Sequence, residues 1–347
     1  MPIAVAMSGG TDSLFALVLL KEQGQEVFGL HARFLPPPKG ADPAPAIEAA
    51  CRRLGVGFHV VDLRAAFEEN VIIPFVEEYM TGRTPNPCAH CNAAMKFGLL
   101  ADAAQAVGAD RIATGHYARL ARHPQWGTML QRGTDPKKDQ SYFLSLVPRH
   151  RLERAVFPLG NWTKEAVKEE LARRNMVPPL PSESQEICFV PGDDYRAFLR
   201  SRKVPLPGPG PIVTTSGRKI GSHQGLWQYT EGQRKGLGIA WSEPLYVVDK
   251  DMESNVLLVG TRDDLSISGC LADEVNLLLP YADWPAEVLA RTRYRQQAEP
   301  ARVELRNNTL HICFRQKQTP PARGQVAAIF DGDQHVLAGG VIYGIRT

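Results

Sequence analysis

The sequence predicts an α/β protein with an N-terminal doubly wound parallel sheet, a small central domain and a C-terminal β-barrel. In the first half of the chain, strand-like apolar runs alternate with segments of helical spacing. A short glycine turn directly follows the first apolar run. From about residue 269, short alternating runs separated by turn residues replace the helical pattern. We expect the 347 residues to divide into domains at 1–191, 192–268 and 269–347.

The elements of the first domain follow one another as strand, helix and strand. Strands are predicted at residues 3–6, 27–31, 58–62 and 111–114, and helices at residues 14–20, 47–54, 67–79, 92–104 and 164–174. Asn92 is expected to cap the helix that begins there. In βα units, ligands bind outside the carboxyl ends of the parallel strands. The glycine turn and Gly115, which follows the fourth strand, both lie at such ends.

The composition is that of a globular protein without a membrane anchor. Hydrophobic residues make up 44% of the chain, and no apolar run approaches the roughly 20 residues that span a bilayer. The first residues resemble a strand rather than a secretory leader. Six cysteines in a chain of this length do not form a disulfide scaffold. We therefore expect a cytoplasmic protein with reactive or metal-bound thiols and no membrane partner.

The glycine turn has the sequence SGGTDS at residues 8–13, between a buried strand and a helix. Such a turn aims backbone N–H groups and a helix N-terminus at one point, which suits a phosphate. An ordinary strand-to-helix turn is the alternative. A Walker loop is excluded because no Gly-Lys-Ser/Thr follows. The spacing resembles the pyrophosphate loop of ATP pyrophosphatases, which split ATP into AMP and pyrophosphate.

Two cysteines, Cys88 and Cys91, form a C-x-x-C motif after a stretch rich in proline. A helix start at this point would favour the thiolate form of Cys91. The motif fits a zinc half-site, a thioredoxin-like redox pair or two ligands of an iron–sulfur cluster. A zinc site lacks its second pair, and a thioredoxin-like pair would follow the first strand. Cys188 is the third candidate thiol. The remaining cysteines are predicted to be small core residues: Cys51, Cys270 and Cys313.

Further motifs occur in a fixed order along nearly the whole chain. They are GRTPNP at 82–87, Cys91-Asn92, KFG at 96–98, ATGHYAR at 113–119, KDQSYFL at 138–144, SQEICF at 184–189, YTEGQRKGLG at 229–238 and RYR at 293–295. Together with the glycine loop, this series resembles the tRNA-specific 2-thiouridylase family, whose members thiolate the wobble uridine of certain tRNAs.

The resemblance implies ATP-dependent sulfur transfer to C2 of that uridine through an adenylated intermediate, with ATP and Mg²⁺ as cofactors. The sulfur donor would be a sulfur-relay protein, a cysteine desulfurase or free sulfide. Cys91 would be the catalytic thiol and Cys188 its partner. The ATP site would comprise Ala6, Met7, Ser8, Gly9, Gly10, Thr11, Asp12, Ser13, Ala32 and Gly115. The target base would meet Asn86, Pro87 and Cys88, and the other tRNA contacts would be His116, Lys138, Asp139, Gln140, Arg293, Tyr294 and Gln325.

The chain departs from the family pattern at Cys88, where aspartate is usual. Three thiols are thereby expected at the active site: Cys88, Cys91 and Cys188. The third thiol favours a [4Fe–4S] cluster that delivers sulfide from its open iron, as in iron–sulfur-dependent tRNA thiolation enzymes. The alternative is a persulfide on Cys91 whose terminal sulfur is released when Cys188 forms a disulfide. Two milder departures are Thr11, where valine is common, and Ala32, where many members have methionine.

Basic residues in the last domain give separate support for an RNA partner. Residues 291–317 contain seven basic and two acidic side chains, although the whole chain carries only +3. Arg291, Arg293 and Arg295 alternate, so on a strand they would share one face and could follow phosphates. A solvated barrel face fits the pattern equally well. Lys137-Lys138 and Arg234-Lys235 are weaker examples of the same signal.

Two other functions remain open from the sequence. An ATP-pyrophosphatase ligase or amidotransferase acting on a small metabolite would use the glycine loop, but it would not need the paired thiols. A non-catalytic tRNA-binding protein would need the basic barrel, but it would not need an intact glycine loop.

Overall fold

The N-terminal region of the computed structural model, which describes residues 2–37, 42–180, 187–332 and 335–346, is built on a parallel sheet. Its strands are β1 (Ile3–Ala6), β2 (Val27–Arg33), β3 (Gly57–Asp62), β4 (Arg111–Ala113), β5 (Ala118–His123), β6 (Gly127–Arg132) and β7 (Ala155–Val156). Five of them form the sheet in the order β3-β2-β1-β4-β7, and β5 pairs with β6 as a hairpin. The predicted doubly wound parallel sheet is confirmed.

Helices connect these strands in the expected alternation. They are α1 (Thr11–Glu22), α2 (Ala44–Arg53), α3 (Arg64–Phe67), α4 (Ile73–Met80), α5 (Pro87–Cys91), α6 (Leu100–Ala106), α7 (Ser141–Leu144), α8 (Arg149–Leu152) and α9 (Lys164–Arg173). Two π-helical segments, Glu68–Ile72 and Asn92–Leu99, join neighbouring helices. All residues of α1 from Ser13 to Leu20 are buried, because the helix packs between the sheet and other helices.

The strand order reverses between β1 and β4, which are neighbours in the sheet. Such a reversal opens a crevice at the carboxyl ends of the two strands, where ligands of α/β proteins bind. The glycine loop follows β1 and Gly115 follows β4, so both lie at this crevice.

The rest of the chain forms two β-rich units. The first contains α10 (Tyr195–Ser201), β8 (Gly210–Thr214), β9 (Lys219–His223), β10 (Tyr246–Asp251) and β11 (Val256–Gly260), and the second contains β12 (Ile267–Leu277), β13 (Val288–Arg291), β14 (Glu299–Arg306), β15 (Thr309–Gln318), β16 (Val326–Phe330) and β17 (Val336–Arg346). The second unit is a closed barrel, as predicted. Within the described residues, no helix is long and apolar enough to cross a membrane.

The barrel and the N-terminal region share one apolar cluster, in which Phe97 and Tyr142 pack together with Phe330 of the barrel. Tyr142 Oη donates a hydrogen bond to Val326 O (3.0 Å). Asn276 Nδ2 in β12 donates to Ser145 O (2.8 Å) and Val147 O (2.9 Å). A continuous core of this kind fixes the orientation of the two regions.

The prediction that Asn92 begins a helix is wrong. The helix starts at Pro87, with Asn86 as its cap: Asn86 Oδ1 accepts a hydrogen bond from Ala89 N (3.2 Å). Proline at the first helical position is a strong start signal because its missing N–H would be unpaired there. Asn92 instead begins the π-helical segment inside a continuous helix, and its Nδ2 donates to Phe143 O (3.0 Å).

The prediction that Arg291, Arg293 and Arg295 share one face of a strand is also wrong. Strand β13 ends at Arg291, and the chain then turns. The Arg291 guanidinium is buried and pairs with Asp139 (3.2 Å), whereas Arg295 is exposed. Cys313, expected in the core, is exposed, while Cys51 and Cys270 are buried as predicted.

Candidate functional site

The glycine loop joins β1 to α1 in four residues. Gly9 has φ of +87°, a left-handed conformation that strains any residue with a side chain. The Ser13 hydroxyl donates to Gly10 O (3.0 Å), and the Ser8 hydroxyl donates to Ser13 Oγ (3.2 Å). These bonds hold the loop around the N-terminus of α1, whose first N–H groups have no partner within the helix. The loop therefore offers a formed cradle for an anion at the crevice.

Gly115 lies directly against the loop from the neighbouring strand. A Cβ at position 115 would come within 2.8 Å of the Asp12 backbone, so this approach requires glycine. Asp12 Oδ1 accepts hydrogen bonds from Tyr117 Oη (2.8 Å) and Lys164 Nζ (2.7 Å). Lys164 is buried, and its charge compensates the carboxylate. Asp12 is therefore held in one position at the end of the loop.

The segment before residue 181 covers the loop from the other side. Leu180 N donates to Gly9 O (2.8 Å), and a Cβ on Gly9 would meet the Leu180 side chain at 3.2 Å. The other residues expected to bind ATP lie at the ends of β1 and β2 and at the start of α1: Ala6, Met7, Ala32 and Thr11. The structure thus brings the predicted ATP residues together around one crevice.

The three candidate thiols lie in one region of the structure. Asn86 and Pro87 are buried at the start of α5, Cys88 is exposed, and Cys91 is buried at the end of the helix. Cys91 belongs to the same apolar cluster as Phe189, the residue after Cys188. Cys88 and Cys188 both raise the pKa of Cys91, and Cys88 raises the pKa of Cys188, as expected for neighbouring groups that would carry the same charge. The first three residues of the predicted SQEICF motif lie outside the described part of the chain.

The expectation of a thiolate at Cys91 is wrong for this structure. Burial raises the pKa of Cys91 to about 12, and Lys96 lowers it only in part. Desolvation by the surrounding protein likewise raises the pKa of Cys88 and of Cys188, although both residues reach the surface. Cys91 lies beyond the first turn of the continuous helix that begins at Pro87, where the helix dipole has little effect on a thiolate.

The predicted iron–sulfur cluster requires the three thiols to converge as ligands. In the part of the chain that the structure describes, no three His, Cys, Asp or Glu side chains converge as a group that could hold a metal ion. The arrangement of Cys88, Cys91 and Cys188 thus does not fit a cluster without movement of at least one thiol. The cluster stays a prediction.

Lys96 connects the thiols with the crevice. Its positive charge acts on all three thiols and on His116, the residue after Gly115. Lys96 follows Cys91 by five residues, which is the hydrogen-bonding interval of the π-helix that contains it. The crevice at the glycine loop and the thiol site are therefore adjacent.

His116 lies beneath the surface rather than on it. Its Nδ1 is 2.7 Å from Thr114 Oγ1, and its ring packs near Phe97 and Phe157. Burial, with a smaller effect of Lys96, lowers the pKa of His116 well below its ordinary value. The ring is neutral at pH 7, so a charged contact from His116 to a phosphate does not fit this conformation.

The buried His116 makes stability depend on pH. Because its folded pKa is depressed, the unfolded chain binds the proton first as pH falls, and stability decreases below about pH 6.5 by at most about 1.4 kcal/mol per pH unit. We expect His116→Gln to reduce this slope in urea unfolding measured between about pH 7 and about pH 5. His150→Gln, at an exposed histidine, is the control and should keep the parent slope. An unchanged slope in His116→Gln would contradict the assignment.

Lys138 and Tyr294, both expected to contact tRNA, lie beside each other between the sheet region and the barrel. The Tyr294 ring packs on Phe143, with 4.4 Å between ring centroids. Burial raises the pKa of Tyr294, while the nearby charges of Arg291, Lys138 and Arg295 act in the opposite direction. This surface combines cations with a half-buried aromatic ring, a combination suited to RNA.

Asp139 and Gln140 are used inside the protein. Gln140 Oε1 accepts from Tyr117 N (2.9 Å), which connects it to the residue that holds Asp12. The side chain of Asp139 is 1% exposed. Its carboxylate accepts hydrogen bonds from Gly133 N, Ser141 N, Arg132 Nε and Arg291 Nη1. A direct contact of this carboxylate with RNA does not fit these bonds, and Asp139 instead supports the surface around Lys138.

Arg293 and Gln325 contact other parts of the protein. Arg293 Nη2 donates to the backbone carbonyl of Glu231 (3.4 Å). Gln325 Nε2 donates to Thr84 O (2.9 Å) and Pro85 O (3.1 Å), in the loop before α5. Both residues are half-buried at the junction of the three regions.

Sequence reasoning missed Lys164 and Lys96 as site residues. Lys164 begins α9, which is far from the glycine loop in sequence, and nothing local marks it as the partner of Asp12. Lys96 lies in the KFG motif, but its position depends on the π-helical segment, which no periodicity indicated.

Three family profiles match the chain in succession. Residues 1–192 match a profile described as the tRNA methyl transferase HUP domain, residues 196–261 the tRNA methyl transferase PRC-barrel domain, and residues 267–342 the aminomethyltransferase beta-barrel domain. Among solved structures, the U34-tRNA thiolase NcsA from Methanococcus maripaludis has a TM-score of 0.36 at 16% identity, covering 58% of this chain and 65% of that chain. A TM-score and an identity this low do not establish a shared function.

Curated relatives match over the full length. The tRNA-specific 2-thiouridylase MnmA of Nitratidesulfovibrio vulgaris strain DP4 is 74% identical over 344 residues, which cover 99% of both chains. The protein of the same name from Oleidesulfovibrio alaskensis is 58% identical over 352 residues, again with 99% of both chains covered. With identity of this order from end to end, the chain belongs to the tRNA-specific 2-thiouridylase family.

Proposed function

We propose that the protein uses ATP to replace the C2 oxygen of the wobble uridine of tRNA with sulfur. The observation that carries the proposal is the adjacency of an anion cradle at the glycine loop and a site with three thiols, linked through Lys96. Family membership supports this reading. The profile descriptions speak of methyl transfer, but methyl transfer has no evident use for a pyrophosphate loop beside paired thiols.

In the first step, the uridine oxygen attacks the α-phosphate of ATP, and pyrophosphate leaves. The glycine loop holds the phosphates through backbone N–H groups at the start of α1. Mg²⁺, held by phosphate oxygens and the Asp12 carboxylate, would neutralise the charge of the leaving group, since one or two carboxylates suffice for such a site. Lys164 and Tyr117 keep Asp12 in place through Oδ1.

In the second step, we propose a persulfide relay. A sulfane sulfur donor first leaves a persulfide on Cys91. The terminal sulfur attacks C2, and AMP departs with the former uridine oxygen. The Cys188 thiol, after losing its proton, attacks Cys91 Sγ, so that the sulfane sulfur is reduced and stays on the base while the two cysteines are oxidised to a disulfide. A thiol reductant then restores both cysteines. Cys91 packs in one apolar cluster with Phe189, the residue after Cys188. This placement supports a disulfide between Cys91 and Cys188.

The proposal also assigns the residues that would meet tRNA. The target base would meet Asn86, Pro87 and Cys88, and tRNA would follow the surface of Lys138, Tyr294 and Arg293, which Gln325 would support from the barrel. His116, Asp139 and Gln140 would support that surface from below. We keep the domain division at 1–191, 192–268 and 269–347. The sulfane sulfur donor of the relay would be a sulfur-relay protein or a cysteine desulfurase, whereas free sulfide would serve only the cluster route. Six free cysteines are typical of the reducing cytoplasm.

The function is tested by nucleoside mass spectrometry after reaction with unmodified tRNA, ATP, Mg²⁺, a thiol reductant and a cysteine desulfurase with cysteine as the sulfane sulfur donor. We expect 2-thiouridine together with AMP and pyrophosphate, all dependent on tRNA. Pyrophosphate release without tRNA would favour a small-metabolite ligase, and methylated uridine with added methyl donor would favour the activity in the profile description. Binding of tRNA without any product would indicate a non-catalytic protein.

A further inference from the structure

A turn of the barrel at residues 322–325, here termed the clamp turn, contacts the loop before α5. The turn is itself fixed to β17: Gly324 N donates to Ile342 O (2.7 Å), and Ile342 N donates to Gln325 O (2.8 Å). Gly324 has φ of +89°, and a Cβ there would lie 3.0 Å from the Thr84 carbonyl group. Glycine therefore permits the close approach of the turn to the loop.

The clamp turn binds the loop at residues 83–86 mainly through backbone groups of the loop. Thr84 N donates to Arg323 O (2.7 Å). The amide nitrogen of Gln325 donates both of its described bonds to this loop, to Thr84 O (2.9 Å) and Pro85 O (3.1 Å). Two consecutive loop residues are thus held by the barrel, and Gln325 supplies the only side chain among these bonds.

The central domain also contacts both the loop before α5 and the clamp turn. Thr84 Oγ1 lies 3.1 Å from Thr230 Oγ1. The Arg323 guanidinium pairs with Glu231 (3.2 Å) and Asp249 (2.5 Å), and the Glu231 carboxylate is 1% exposed. Buried ion pairs contribute more to a defined geometry than to stability. The loop, the barrel and the central domain therefore meet at one fixed junction.

The held loop leads directly into the residues expected at the target base. Pro85 and Pro87 flank Asn86, and proline restricts both its own backbone and that of the residue before it. Asn86 in turn caps α5 through Ala89 N (3.2 Å), and Cys88 lies in the first turn. With so little backbone freedom, a displacement of Thr84 is transmitted to Cys88.

We propose that Gln325 is a positioning residue that sets the target-base loop from the barrel. RNA held by the barrel and the central domain then meets Asn86, Pro87 and Cys88 already in place. The resemblance to the family assigned Gln325 to tRNA, whereas here its amide donors bind the loop. The catalytic consequence rests on the proposed function, but the contact between Gln325 and the loop can be tested without it.

The test uses Gln325→Met in the full-length protein, a change that keeps side-chain length and removes both donors. Labelling of exposed Cys88 by iodoacetamide at fixed pH, followed by peptide mass spectrometry, should become about threefold faster or more because the loop loosens. Cys313, exposed on the barrel, is the internal control and should label at the parent rate. For thiolation, kcat should fall about tenfold while KM for tRNA stays within about twofold.

Three further variants separate positioning from general damage. Thr230→Val should accelerate Cys88 labelling in the same direction, whereas Thr230→Ser keeps the hydroxyl and should label like the parent. Gln316→Met, at an exposed glutamine of β15, should change neither labelling nor kcat. Parent-like Cys88 labelling in Gln325→Met would overturn the proposal, as would equal acceleration at Cys88 and Cys313. If labelling changes as expected but the parent makes no 2-thiouridine, the proposed function fails and the contact stands.

Discussion

Cys91→Ser is expected to lower 2-thiouridine formation by about 10³-fold or more while a first burst of pyrophosphate persists. A serine hydroxyl cannot carry a sulfane sulfur, so the second step of the reaction has no nucleophile. The first step depends on the glycine loop, Gly115 and Asp12, which Cys91 does not contact in any described bond. Adenylated tRNA should therefore form once and then hydrolyse slowly.

The measurement is a rapid-quench reaction that follows pyrophosphate and 2-thiouridine in the same samples. The burst should correspond to about one pyrophosphate per protein, because the adenylated tRNA is not converted to product. Cys313→Ser provides the matched control, because it changes an exposed cysteine of the barrel and should retain parent activity within about twofold.

A buried serine in place of cysteine could also disturb packing, so Cys91→Ala is measured beside it. Cys91 is 9% exposed in a cluster of aromatic and aliphatic residues, where alanine is tolerated better than a hydroxyl. Thiolation by either variant above about a tenth of the parent rate would contradict the role of Cys91. Loss of the burst in variants that unfold like the parent would place Cys91 in the ATP step.

Local sequence patterns predicted the fold and the position of the glycine loop within it. The strand–turn–helix around Gly9 and the glycine after β4 are encoded within a few residues, so their pattern and turn chemistry are visible in the sequence. The βα alternation predicted a parallel sheet with both turns at carboxyl ends of its strands, and the observed strand order places these turns at one switch point. The closed barrel was likewise predicted from short runs and their spacing.

Such local patterns did not predict the contacts between segments that are distant in sequence. Gln325 and Thr84 are 241 residues apart, and their bond depends on how the barrel docks. The same holds for Asp139 and Arg291, which looked like a tRNA contact and a phosphate-tracking arginine but form a buried pair. The start of α5 was mistaken because Asn92 resembles a cap, whereas the proline at position 87 carries the stronger signal.

The Cys188→Ser variant tests the sulfur-transfer step, because the persulfide relay predicts a covalent product for it. In the persulfide relay, Cys188→Ser stops the reaction after attack on C2, because nothing reduces the bond between Cys91 Sγ and the transferred sulfur. We expect thiolation without reductant to fall about 10²-fold or more and a covalent protein–tRNA adduct to accumulate. The adduct is seen as a shifted band on a denaturing gel.

Added dithiol should dissolve the adduct and release tRNA that contains 2-thiouridine, since an external thiolate can take the place of Cys188. Double replacement of Cys91 and Cys188 by serine should give no adduct at all. Cys88→Ser serves as the matched thiol control: in the relay it should keep thiolation within about threefold, because Cys88 carries no sulfur in that route.

A cluster mechanism would give the opposite set of results. Delivery of sulfide from an iron forms no bond between Cys91 and the base, so no adduct would accumulate in Cys188→Ser. Anaerobic purification and reconstitution would then yield bound iron and acid-labile sulfide, both lost in Cys88→Ser together with activity. No three metal-ligating side chains converge among the described residues, so this outcome would also require at least one of Cys88, Cys91 and Cys188 to move.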